Sequence, residues 1–298
     1  MSEKFRFEWP TLLMLALTYA VWALATVWVA GWSVPLAMLL VVLSAAQHSS
    51  LQHEALHGHP TRWRLVNEAL VFPALSLLIP YGRFRDSHLE HHHDERLTDP
   101  YDDPESNYLD PEVWARLPRW WQIVLRLNNT LAGRILLGPL VSQVAFMRGD
   151  YRAWQKGKAG ILSAWLWHIP SLALVIWWMA SYSTMPVWAW LVASYFALSV
   201  LKIRTYLEHR AHEHSSGRTV VIEDRGPLSL IFLNNNLHVV HHTHPGVPWY
   251  HLPEMFRQNR DTYLGSNDGY YYRNYAEIFA KYLFRAKDPV PHPLWPRK

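Results

Sequence analysis

The stretch that decides the fold is WPTLLMLALTYAVWALATVWVAGWSVPLAMLLVVLSAAQ, residues 9–47, which contains no Asp, Glu, Lys or Arg. A second charge-free run extends over 159–201. A helix rises about 1.5 Å per residue and needs about 20 residues to cross the hydrocarbon core, so each run is long enough for two crossings. Each is interrupted near its middle, the first by Gly31-Trp32-Ser33 with Pro35, the second by Ser181-Tyr182-Ser183 with Pro186. The expected architecture is therefore an all-α integral membrane protein. It has four transmembrane helices in two hairpins, near 11–30, 34–51, 161–180 and 185–203, and a His-rich helical cap. With no internal repeat or low-complexity linker, residues 1–298 read as a single membrane-embedded domain.

Charge gives the orientation. Of 28 Lys and Arg, Lys4 and Arg6 precede the first hairpin, 13 lie between His48 and Lys158, and 13 follow from Lys202 onward. Neither hairpin tip carries one. The positive-inside tendency then puts both termini and the central segment in the cytoplasm, as expected of a multi-pass protein of a bacterial inner membrane. The first apolar run is too long for a signal peptide and reads as an anchor. The stretch 65–80, broken by Asn67, Glu68 and two prolines, reads as an interfacial or re-entrant helix, and residues 131–147 as a further interfacial segment. The formal charge is +4, but no basic run with interleaved aromatics appears, so no nucleic-acid partner is expected. Seventeen Trp suit a chain with many side chains at a membrane–water boundary.

There is no cysteine, which excludes disulfides, thiolate zinc sites, iron–sulfur clusters and a Cys nucleophile. There are 18 histidines, mostly in short clusters. The first is His53-Glu-Ala-Leu-His57, just after the second expected span. The second is His88-Leu-Glu-His91-His92, with His93 following, and the third is His238-Val-Val-His241-His242. Spacings of three and four put side chains one turn apart on one helix face. Eight imidazoles exceed what one tetrahedral zinc requires and suit two metals of higher coordination number. A single such pair is unremarkable; three at the same membrane boundary are not. His53, Glu54 and His57 also spell HExxH, so the rival reading is an intramembrane zinc peptidase with Glu54 as base, which leaves two HxxHH boxes unexplained. A metal carrier or transporter would place polar ligands within the spans, where only His168 lies, and that histidine reads as hydrogen-bonded packing.

The order HxxxH, HxxHH, HxxHH, interleaved with two hairpins, resembles the histidine-box superfamily of membrane fatty-acid desaturases, hydroxylases and carotenoid ketolases. The wording around the boxes agrees: HEALHGHPT, RDSHLEHHHDE and NLHVVHHTHPGVPWYHLP. The resemblance covers about Gln47 to Pro253. It implies two iron ions cycling between Fe2+ and Fe3+, O2 as co-substrate, and an oxidoreductase that acts on a fatty-acyl or acyl-lipid substrate held among the spans and membrane lipids. The leading expectation is an acyl desaturase; a hydroxylase or ketolase acting on a lipid, carotenoid or small molecule would use the same ligands. Electrons would come from a separate ferredoxin, rubredoxin or cytochrome b5 type donor. The resemblance also implies a ninth ligand after the last span, for which His209 is preferred over His212. Where the stearoyl-type members have an asparagine holding a metal-bound water, this chain has Thr205, leaving Asn234, Asn235 or Asn236 as replacements. Asp86, Glu90, Asp94 and Glu95 around the second box are candidates to orient imidazole N–H groups. His48, His59, His93, His214 and His244 border the boxes.

Overall fold

A computed structural model describes residues 7–92 and 94–295 of the chain. In chain order the helices begin with α1 (Trp9–Val27), α2 (Val34–Leu56), α3 (Arg64–Leu70), α4 (Tyr81–His91) and α5 (Pro111–Arg116). They continue with α6 (Arg119–Asn128), α7 (Leu131–Leu136), α8 (Gly138–Gln155), α9 (Ile161–Tyr182) and α10 (Val187–Arg204). The last are α11 (Pro227–Ile231), α12 (His238–Thr243), α13 (Leu252–Gln258), α14 (Arg260–Ser266) and α15 (Tyr275–Tyr282). Two-residue strands β1 (Val221–Ile222) and β2 (Tyr271–Tyr272) pair in parallel, with Val221 opposite Tyr271. The all-α membrane class is what the structure shows. Four helices, Trp9–Gly31, Val34–Leu56, Ile161–Tyr182 and Val187–Arg204, are long and apolar enough to cross a membrane.

Residues group into two compact units, Met1–Asp86 with Pro139–Leu201, and Ser87–Gly138 with Lys202–Lys298. The first unit holds the spans. Its core runs along small residues at helical spacing, Ala37 and Ala45 on α2 and Ala189, Ala193 and Ala197 on α10, closed by Trp22, Val175, Met179 and Trp190. Alanine at every turn lets apolar helices approach closely where lipid offers no hydrophobic contrast. The hairpin tips are tied together through Thr26, whose carbonyl accepts from Thr184 N–H at 3.0 Å and whose hydroxyl accepts from Trp178 Nε1 at 3.1 Å. Trp28, Trp32 and Trp188 near the tips are exposed, as interfacial aromatics are. Buried polarity in this unit is met by local partners at two points. His168 Nε2 bonds the Leu77 carbonyl at 2.9 Å, and Asp150 accepts from Arg83 Nε at 3.0 Å and Trp165 Nε1 at 2.8 Å.

Span boundaries differ from the sequence reading chiefly at α2. It does not stop near residue 51 but continues to Leu56, because nothing in 47–56 breaks a helix until Gly58, at φ 95°, provides a left-handed terminus. The first histidine box therefore straddles the end of the span instead of lying beyond it. In the stretch 65–80 only α3 is helical, since Pro73 and Pro80 interrupt the remainder. Residues 131–147 fall on two helices, α7 and the start of α8, which runs on to Gln155.

In the second unit β1, α12, α13 and α14 surround a core of Val221, Leu237, Val240, Leu252, Phe256 and Tyr263. The short ladder anchors the segment that leads into α12: Ile222 N donates to the Asn236 carbonyl at 2.8 Å, and Val239 N to the Val220 carbonyl at 3.1 Å. These bonds fix the direction in which the third histidine box leaves the turn.

Candidate metal centre

Three elements of the second unit bring histidines to one place. The last turn of α4 offers His88 and His91, with His92 immediately after it. The short helix α12 offers His238, His241 and His242. It begins after Leu233 and Asn234, both at positive φ, a turn that an asparagine tolerates better than most residues. The third element is the segment after α10, where His209 forms an isolated bridge with Thr219.

Imidazole nitrogens of His91, His209, His238 and His242 all lie within 4.8 Å of one another. Nε2 of His91 is 2.9 Å from Nε2 of His209, and Nε2 of His238 is 3.2 Å from the same atom. His92 Nε2 likewise sits 3.0 Å from His88 Nε2 and 3.2 Å from His241 Nε2. These separations carry information. Two nitrogens about 2.1 Å from a common ion stand about 3.0 Å apart at right angles and about 3.4 Å apart at tetrahedral angles. The observed values, 2.9–3.2 Å, fall within the range that one shared ion allows. His92 and His242 stack with ring centroids 4.3 Å apart.

The opposite ring nitrogens are held. His91 Nδ1 donates to Asp103 Oδ1 at 2.7 Å, His88 Nδ1 pairs with Glu105 Oε1 at 3.1 Å, and His238 Nδ1 bonds Asn235 Oδ1 at 2.9 Å. An acceptor on Nδ1 fixes the tautomer that leaves the Nε2 lone pair for a metal, and fixes the ring plane as well. Asp103 is itself locked, accepting the backbone N–H of Thr98 at 2.8 Å and of Glu105 at 2.9 Å. The Lys287 ammonium donates to the His209 carbonyl at 2.8 Å. A buried ion pair between Arg204 and Glu208, 3.0 Å long, closes the start of the same segment.

Burial, then the neighbouring His91, keeps His209 well below the usual imidazole range, and burial followed by His242 does the same for His238. Both are neutral at physiological pH, the form that binds metal. At His91 burial also opposes the charged ring, but Glu105 and Asp103 outweigh it and carry the pKa up to about 9. Burial works against the ionised form of Glu105 too, yet His88 and His91 hold its carboxyl below the ordinary range. An all-nitrogen, mostly neutral donor set on fixed rings fits a transition metal such as iron.

The remaining histidine box lies in the first unit. His53 lies on α2 and His57 caps it, their rings 4.8 Å apart in a T-shaped arrangement. Both His53 and Glu54 are buried.

A family model described as fatty acid desaturase matches residues 26–274. The chain belongs to the fatty acid desaturase family. The match begins inside α1 and encloses all three histidine boxes and His209. No curated protein matches the chain.

Among the other candidates in this desaturase-family chain, His212 turns away from the cluster, its Nδ1 on the His214 carbonyl at 3.1 Å and its Nε2 on Asp268 at 3.2 Å. Asp86 pairs with Arg85 at 2.9 Å. Glu90 is half-buried on α4 and Thr205 is half-buried just past α10. Asn236 supports the backbone instead, donating to the Ile222 carbonyl at 2.6 Å, and Asn234 donates to the Trp249 carbonyl at 3.1 Å. His93 and the side chain of Asp94 lie outside the described residues. The sequence reading missed Asp103, Glu105 and Lys287. A signal existed for the two acids in the Asp-rich run 99–105, but they stand 12 and 17 positions from the histidines they hold, a separation without helical meaning. Lys287 left none.

Proposed function

We propose that this protein is an O2-dependent di-iron oxidoreductase that desaturates an acyl chain. The observation that carries the reading is the convergence of His91, His209, His238 and His242 on fixed rings in a member of the fatty acid desaturase family. These four would hold one iron. The resemblance also counts His53, His57, His88, His92 and His241 among the ligands of the two irons. Bound iron supplies the one chemistry no side chain can, activation of O2 to an oxidant able to take hydrogen from an unactivated methylene.

The chain's own residues do the rest. Asp103, Glu105 and Asn235 aim the imidazoles, the buried setting keeps His209 and His238 neutral, and the apolar spans provide the solvent in which an acyl tail is held. The stoichiometry is one CH2–CH2 unit, one O2, two electrons and two protons giving one CH=CH and two waters. The electrons come from a separate ferredoxin, rubredoxin or cytochrome b5 type donor. The active site and both termini face the cytoplasm, in keeping with the absence of Lys and Arg at both hairpin tips.

The test is expression of the wild type and His242→Ala in a bacterial host, with acyl chains compared by gas chromatography–mass spectrometry and iron measured on the purified proteins. A product two hydrogens lighter, missing from the variant, is expected. A product one oxygen heavier would make the protein a hydroxylase on the same ligands. About one zinc per chain, with no iron taken up anaerobically, would overturn the di-iron reading. Reporter fusions at residue 32 and residue 184 should report the side opposite the C-terminus.

A further inference from the structure

Helix α6 has its polarity inverted for a water-facing cap. Its amide side chains turn into the protein: Gln122 Nε2 donates to the carbonyls of Trp114 and Leu117, each at 3.1 Å, and Asn128 is buried. Three of its large apolar side chains point out, while Trp121, Val124 and Leu125 are half-buried. Trp120 is 65% exposed, Ile123 54% and Leu127 53%. Positions 120, 123 and 127 fall on one side of a helix, at spacings of three and four. Arg119 and Arg126, two turns apart and both exposed, flank that stripe on one edge.

Along the chain, the charge on this helix and its flanks is of one sign. No Asp or Glu occurs between Glu112 and Asp150, while Arg116, Arg119, Arg126, Arg134 and Arg148 do. Arg116 is paired with Glu112 at 3.3 Å, and Arg126 lies over the Trp114 ring at 5.3 Å. An apolar stripe with Trp at one end and arginines along its edge matches the layering of a bilayer surface, with acyl chains below and phosphates beside them.

We infer that α6 is an in-plane membrane helix, which seats Trp120, Ile123 and Leu127 among lipid acyl chains and brings Arg119 and Arg126 to lipid phosphates. Its occupant is the lipid surface itself, preferentially one with anionic headgroups. The helix is held in place by a close approach behind it: a Cβ on Gly133 would fall 1.8 Å from the Leu127 carbonyl oxygen, so only glycine lets α7 fold back against α6 there.

The chain has no cysteine, so single cysteines can be placed without background. Ile123→Cys, Leu127→Cys and Arg119→Cys in the full-length protein, each spin-labelled and placed in phosphatidylcholine nanodiscs with or without phosphatidylglycerol, are compared for collision with oxygen and with a water-soluble nickel chelate. Labels at 123 and 127 should collide with oxygen and be lost to the nickel chelate, while the label at 119 stays open to both. In the 123 label, Arg119→Gln with Arg126→Gln should remove any extra protection gained from phosphatidylglycerol. Nickel access at 123 and 127 equal to that at 119 in every nanodisc would overturn the inference. So would protection that arises only on adding a redox protein, because the face would then belong to a protein partner. Neither readout depends on iron or turnover.

Discussion

Replacing Asp103 with Asn alters hydrogen bonding and almost nothing in volume. In the wild type Oδ1 accepts from His91 Nδ1 at 2.7 Å and from Glu105 N at 2.9 Å, while Oδ2 accepts from Thr98 N at 2.8 Å. Asparagine must replace one of these oxygens with an NH2 group. At the Oδ1 position that group would face two donors; at the Oδ2 position it faces only Thr98 N–H, so the amide settles there. One buried donor is then left unmet, at a cost of about 1–3 kcal/mol to the metal-free fold. His91 meanwhile keeps an acceptor, but a neutral one. Loss of such a carboxylate behind a metal-bound histidine weakens metal affinity by about 10–100-fold, or about 1.4–2.8 kcal/mol. The assay is anaerobic chelator competition for iron on purified protein, with thermal unfolding of the metal-free form alongside and the exposed Asp102→Asn as control. Both quantities should fall in Asp103→Asn and neither in the control. Wild-type iron affinity in Asp103→Asn would refute the reasoning, whatever the unfolding temperature did.

Alanine at any one of His57, His91, His92, His241 or His242 should abolish activity while membrane insertion, read by fractionation, is unchanged; full turnover by two of these would contradict the ligand assignment. His91 should contribute less to the stability of the metal-free protein as pH rises. The folded pKa of His91, about 9, lies above its ordinary value of 6.5, so the stabilisation is complete below about 6.5 and is lost on passing about 9, at up to about 1.4 kcal/mol per unit. Thermal unfolding across that window checks it, and a slope equal to that of His91→Gln would count against it. Gly133→Ala should destabilise the second unit by about 3 kcal/mol, because the new Cβ meets backbone at 1.8 Å and must push α6 or α7 aside; an unfolding midpoint unchanged from wild type would contradict that fit.

The spans were legible because membranes leave a simple mark: a run without charge, about 20 residues per crossing, broken where a turn must be. The end of α2 was not, since hydropathy stops at the membrane while a helix stops only where its backbone can, here at Gly58. The boxes were legible because helical spacing is short-range. The groups that hold them were not. Asp103 and Glu105 reach His91 and His88 through a loop, and the His209–His91 meeting joins positions 118 apart. Asn235 was a candidate only as one of three replacements for the asparagine that Thr205 displaces; it bonds His238, three positions on, while Asn234 and Asn236 donate to backbone carbonyls.

The scatter of the four-histidine set along the chain also orders events in time. His91 leaves the ribosome long before His242, 151 positions later, and at about 5–20 residues per second the gap is about 8–30 s. Throughout that interval the two hairpins can enter the bilayer, but of the four imidazoles only His91 exists for most of it. A metal held by these four imidazoles would therefore wait for a chain grown past residue 242. Truncation before residue 238 would leave α1, α2, α9 and α10 intact and the four-histidine site unmade, so the spans and this site can be separated by chain length.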